Sequence, residues 1–176
     1  MIFLIIIALA YCQESIALAY CQETKNEFYS IRNVATSLYL SNIFSKPTEW
    51  DDLQQDVYTT IDKININSEW IFVLQNITYN SHRVYTIINR FDNKCIDIEM
   101  HTYYEHPVHL HDCSHIGTFQ YWIIEELGEN RKRLNNYAEQ MYLTSYKPKP
   151  SSSRLSDLYI REDSIKTYQQ WYIELI

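Results

Sequence analysis

Three tryptophans set the frame. Trp70, Trp122 and Trp171 lie 52 and 49 residues apart, and each opens an apolar run: Ile71-Phe72-Val73-Leu74, Ile123-Ile124 and Tyr172-Ile173. Alternation and β-branched residues read these runs as strands. Two of the tryptophans are preceded by Gln-x, in Gln120-Tyr121-Trp122 and Gln169-Gln170-Trp171, and the first by Ser68-Glu69. Residues two apart on a strand face the same way. Gln-x-Trp is therefore expected to set an amide beside an indole: the indole fills core volume and the amide holds a neighbouring turn.

Two further anchors recur upstream of each Trp. In 29–41, 85–97 and 132–144 the asparagines Asn33, Asn89 and Asn136 align. Two residues before them stand Ile31, Ile87 and Leu134; seven after them stand Leu40, Ile96 and Leu143. The pattern is strand, polar turn, strand. The third anchor is Val57-Tyr58-Thr59, Val108-His109-Leu110 and Leu158-Tyr159-Ile160, which starts 13, 14 and 13 residues before its Trp. Each unit, about 26–76, 77–128 and 129–176, thus reads as four short strands. One such unit cannot bury its apolar face, whereas three can close around a shared core and remove most exposed edges. No segment keeps helical apolar spacing over several turns. The expected fold class is all-β, one domain of about twelve strands. Glycine is scarce, at 2 residues, so Asn and Asp must supply many turns. The stretches 45–56 and 145–157 are polar insertions bearing Pro or Ser at matching places.

The first 21 residues read differently. Met1 to Ala10 is apolar throughout and small-x-small sites follow, a pattern that resembles a secretory signal peptide. The stretch IALAYCQE occurs at 7–14 and again at 16–23. Gln13, Glu14 and Ser15 interrupt the apolar run well short of the roughly 20 residues that span a bilayer, so no membrane span is expected. Cleavage is expected in the second copy, after Ala19 or after Cys21. The later cut leaves Cys95 and Cys113, the even number that a secreted protein favours. It removes only one charged residue, Glu14, so 15 bases then stand against 21 acids and the formal net charge moves from −7 to −6. That balance argues against a general nucleic-acid binder, which needs a basic face. Asn76-Ile77-Thr78 is an N-glycosylation sequon, placing a candidate modification at Asn76.

Three units of about fifty residues, two ending in Gln-x-Trp, resemble the ricin-B-type β-trefoil lectin domain. The middle unit matches most closely: Cys95-Ile96-Asp97, then Val108-His109-Leu110-His111-Asp112-Cys113, then Gln120-Tyr121-Trp122. The resemblance covers Asn26 to Ile176. It implies a β-trefoil of three four-stranded repeats and a Cys95–Cys113 disulfide, also the default for two thiols in a secreted chain. It further implies carbohydrate binding, with Asp97 as the acceptor for paired sugar hydroxyls. His109 and His111 stand where the family has a polar residue and an aromatic platform, and Gln120 borders the pocket. The chain departs from the family at three places. Ser41 and Thr144 replace the acid in the first and third units, and Phe119 replaces the Asn that precedes the Gln. At most one sugar site is expected, in the middle repeat.

His101, His106, His109, His111 and His115 crowd one segment. The pair 109 and 111 alternates on one strand face, and Asp112 or His115 could extend it into a zinc set. No third or fourth ligand has a diagnostic spacing, so no metal or other cofactor is assigned. No Gly-x-Ser-x-Gly, phosphate-cradling Gly loop or spare cysteine nucleophile is present, so no enzyme activity is expected. The expected function is that of a secreted lectin domain whose partner is a glycan or glycoprotein. The alternative is a secreted trefoil that grips a protein partner through its loops.

Overall fold

The computed structural model describes residues 27–42, 55–60, 65–98, 106–114, 117–145, 155–163 and 167–176. The expected leader, its duplicated stretch and most of the two polar insertions lie outside the described residues.

Among the described residues, twelve strands form one sheet system. Those of the first repeat are β1 (Tyr29–Asn33), β2 (Tyr39–Asn42), β3 (Gln55–Thr60) and β4 (Trp70–Tyr79). The middle repeat supplies β5 (His82–Asn89), β6 (Cys95–Ile98), β7 (His106–His111) and β8 (Tyr121–Gly128). The third supplies β9 (Arg131–Asn136), β10 (Tyr142–Ser145), β11 (Leu155–Arg161) and β12 (Trp171–Leu175). The first and last strands of the repeats pair in a ring: β1 with β4, β4 with β5, β5 with β8, β8 with β9, β9 with β12, and β12 with β1. That ring is a closed six-stranded barrel, which removes its own edges. The inner strands of each repeat pair as a hairpin, and β3, β7 and β11 pair with one another to draw the three hairpins over one end. The fold is a β-trefoil.

The core repeats as the sequence anchors do. Ile31, Ile87 and Leu134, then Leu40, Ile96 and Leu143, then Trp70, Trp122 and Trp171, are all 0% exposed. Each indole N–H donates to the carbonyl of the residue seven after the repeat asparagine: Trp70 to Leu40 at 3.1 Å, Trp122 to Ile96 at 3.1 Å and Trp171 to Leu143 at 3.0 Å. A buried Trp thus fills volume and satisfies its one donor at once.

The aligned asparagines explain the turns. The side-chain Oδ1 of Asn33, Asn89 and Asn136 accepts the backbone N–H two residues on, at 3.0 Å in each case. The residue four on (Ser37, Asn93 or Gln140) sits in the left-handed region at φ of 60°, 58° and 56° and donates its N–H back to the asparagine carbonyl. With only two glycines in the chain, ordinary side chains hold these left-handed positions. The same asparagines reach across repeats. Asn89 Nδ2 donates to the Asn67 carbonyl, Asn136 to Phe119 and Asn33 to Tyr168, at 2.8, 2.7 and 2.9 Å. Each repeat's opening turn is thereby tied to the end of the repeat before it, and the first to the last.

One expectation needs correcting. Gln120 and Gln169 do not share a strand with their tryptophans. Each closes a short 3₁₀ turn, Thr118–Gln120 or Thr167–Gln169, as Ser68 closes Ile66–Ser68. The strand starts one residue later at Tyr121, or at the Trp itself. Both glutamines are still buried, because the tight turn aims the residue inward under the neighbouring hairpin.

Candidate functional site

The middle hairpin, β6 and β7, carries three of the four site residues singled out by the sequence, Asp97, His109 and His111. Cross-strand partners in an antiparallel pair share a face. Asp97 lies opposite His109 and Cys95 opposite His111, so these four share the face turned away from the core residues Ile96, Ile98, Val108 and Leu110, with Cys95 and His109 covered by neighbouring chain. Disulfide formation between Cys95 and Cys113 ties the start of β6 to the segment after β7. On the chain-entropy view, closing that loop is worth roughly 3 kcal/mol.

Gln120 enters this hairpin from its 3₁₀ turn. Its Nε2 donates to Asp97 Oδ2 at 2.8 Å and to the Asp112 carbonyl at 3.0 Å, and its Oε1 accepts the Ser114 N–H at 2.8 Å. At 2% exposure the amide is a brace rather than a surface contact. Asp97 Oδ1 accepts the N–H of Ile98 at 2.8 Å. An ionised carboxylate has about four acceptor positions, so two remain after these bonds. Asp97 makes no ion pair among the described residues. The side chain is half-buried, fixed from behind and open to hydroxyl donors from in front.

The two histidines differ. His109 is 7% exposed, beneath the surface, whereas His111 is exposed. Their rings meet edge to face with centroids 6.4 Å apart. His106 is buried in the same strand, and His101 and His115 lie outside the described residues. No group of three or more metal-ligating side chains occurs among the described residues. Phe119 packs against the core, and its carbonyl takes the Asn136 staple. Asp112 and Ser114 join the site through their backbone, so no side-chain signature could have announced them.

The third repeat holds the corresponding arrangement without the acid. Gln169 Nε2 donates to Thr144 Oγ1 at 3.2 Å and to the Glu162 carbonyl at 2.9 Å. In the first repeat Ser41 and Ser68, at the matching positions, are both buried. The glutamine brace is thus common to two repeats, and the carboxylate belongs to one.

No protein-family model matches the chain, and no curated protein matches it. Solved structures do. The designed three-fold symmetric protein ThreeFoil superposes with a TM-score of 0.67 at 18% identity, covering 83% of this chain and 96% of that one. An SDF2-like protein from Arabidopsis thaliana gives 0.66 at 17% identity, covering 85% and 92%. SeviL, solved bound to asialo-GM1 saccharide, gives 0.58 at 17% identity, covering 84% and 96%. At these identities the likeness establishes the fold. Among the described residues, no helix is long and apolar enough to cross a membrane.

Proposed function

We propose that this chain is a secreted carbohydrate-binding domain of the ricin-B type, which acts by non-covalent recognition and not as an enzyme. One site serves, on the outer face of the β6–β7 hairpin. The carrying observation is Asp97: a carboxylate with no ion pair among the described residues, braced by Gln120, with acceptor positions left over. Paired sugar hydroxyls donate to it. The exposed ring of His111 lies against the apolar side of the sugar, and His109 and Gln120 hold the neighbouring geometry. The SeviL complex with a saccharide lends support at the level of a shared fold that can serve glycan binding.

The test uses the third repeat as its guide. Thr144 keeps the glutamine brace without a charge, so Asp97→Thr should keep the hairpin folded and remove the acceptor. A glycan array is expected to give signal for the parent and at least a tenfold loss for Asp97→Thr, the scale of a lost charged hydrogen bond. Silence from the parent, or equal signal from both, would sink the reading. A pulled-down protein partner that resists deglycosylation would favour the alternative of protein contacts through the loops.

Secretion and modification at Asn76 belong to the same reading. Asn76 is exposed on β4 where the pairing with β5 breaks register between Leu74 and Thr78, so Asn76 itself stands clear of the ladder. Secretion from a eukaryotic host should give a mobility shift removable by an N-glycosidase and missing in Asn76→Gln.

A further inference from the structure

The hairpins cover one end of the barrel. The other end opens into a cavity of about 500 Å³, a size suited to a small ligand. Its floor is the residue two after each Trp: Phe72, Ile124 and Ile173, all packed on the core and partly buried. Its walls come from the residue four before each repeat asparagine: Tyr29, Tyr85 and Lys132. Here the three-fold pattern breaks, and the break has chemical content.

Two repeats place tyrosines in the wall and the third places lysine. Phe72 stands between the tyrosines, edge to face with both: centroids 5.3 Å from Tyr29 at 87° and 6.3 Å from Tyr85 at 85°. This aromatic corner offers ring edges and faces to a flat guest. The two cations that line the mouth differ in their pairing. Lys132 pairs with Glu126 at the wall. Arg83, at the rim from the start of β5, is exposed and makes no ion pair among the described residues. His82 lies beside it. A cation with no ion pair among the described residues thus stands at the edge of an aromatic and aliphatic bowl, in a chain of net charge −7.

We propose that the barrel mouth is a second binding site, distinct from the hairpin site, for a small aromatic monoanion. The ring rests on Phe72, Ile124 and Ile173 between the tyrosines, and the anionic group meets Arg83. The site is independent of the glycan reading, since no residue is shared.

The probe is 1-anilinonaphthalene-8-sulfonate, titrated against the full-length protein and followed by its fluorescence. One saturable site is expected. Uncharged N-phenyl-1-naphthylamine should bind several-fold more weakly. Arg83→Gln, at an exposed position, should keep the fold and weaken the sulfonate by about fivefold, the upper range for a surface-exposed charge pair, without affecting the neutral probe. Ile173→Gln should weaken both probes. Leu74→Gln, an exposed apolar residue outside the mouth, should change neither. Displacement by 2-naphthoate should exceed displacement by decanoate. No saturable binding, indifference to Arg83→Gln, equal sensitivity to Leu74→Gln, or stronger displacement by decanoate would each overturn the proposal.

Discussion

Cys95 in the middle repeat and Tyr142 in the third stand at the same place, six residues after the repeat asparagine, on the outer side of the second strand. The middle repeat secures that position with the Cys95–Cys113 bond. In the third it is secured with side-chain interactions. The Tyr142 hydroxyl donates to Glu125 Oε1 at 3.2 Å, and the Arg133 guanidinium lies 4.2 Å from the Tyr142 ring centroid. Arg133 in turn pairs with Glu125 at 2.8 Å and Asp163 at 2.7 Å. The contrast is instructive because both hairpins carry the same glutamine brace. In the third repeat the nearby acids are consumed by Arg133, and Thr144 brings no charge. In the middle repeat the covalent link does the holding, and Asp97 has no partner cation among the described residues. Stability there does not depend on neutralising Asp97.

The largest expected difference between the two devices is covalent. Removing the disulfide with Cys95→Ala and Cys113→Ala should cost about 3 kcal/mol, lowering Tm by about 6–12 °C for a chain of this size. Tyr142→Phe, which deletes only a hydroxyl bond, should cost about 1 kcal/mol. Equal losses in thermal unfolding would erase the contrast.

The next effect tests the shared brace. Gln120→Ala and Gln169→Ala each strand buried backbone partners and should each cost about 1–3 kcal/mol. They should be close to each other in denaturant midpoint, yet only Gln120→Ala should also weaken glycan binding, by loosening Asp97. A Gln169 variant that lost glycan signal would show that binding tracks global stability and not the hairpin site.

The smallest effect is in pH. Burial, with Glu125 beside it, raises the Tyr142 pKa above the usual 10.0, partly offset by Arg133. A raised folded-state pKa means that the contribution is complete below the unfolded value and is lost as pH rises through the folded one. Tm should therefore fall more steeply above pH 10 for the parent than for Tyr142→Phe. Parallel curves would remove Tyr142 from the account.

Much of this architecture is legible in the chain. Apolar positions at fixed offsets from Asn33, Asn89 and Asn136 identify the barrel and hairpin strands, because each core side chain has two symmetry mates that must fit the same space. The inward aim of Gln120 is legible too, but not its cause. A three-residue 3₁₀ turn has no periodicity of its own, so Gln-x-Trp reads as strand. The asparagines align without declaring their purpose, since a side chain that caps a turn and staples a distant carbonyl looks the same in sequence as one in solvent. Asp97, His109, His111 and Gln120 do converge on one hairpin, yet the burial separating His109 from His111 depends on how neighbouring strands cover β7. The barrel mouth escapes sequence entirely: Tyr29, Phe72 and Tyr85 meet only once the ring of strands has closed.

That ring has a consequence for how the chain comes to exist. β1 lies against β12 along its whole length, from Tyr29 opposite Leu175 to Asn33 opposite Trp171, and Asn33 is stapled to Tyr168. During synthesis β1 therefore waits for β12, far along the chain, before it can be housed. Contacts of such long sequence separation slow folding, and no partial product can complete the barrel. A molecule without Trp171–Leu175 would lack a stave, leaving β1 and β9 each with an unpaired edge.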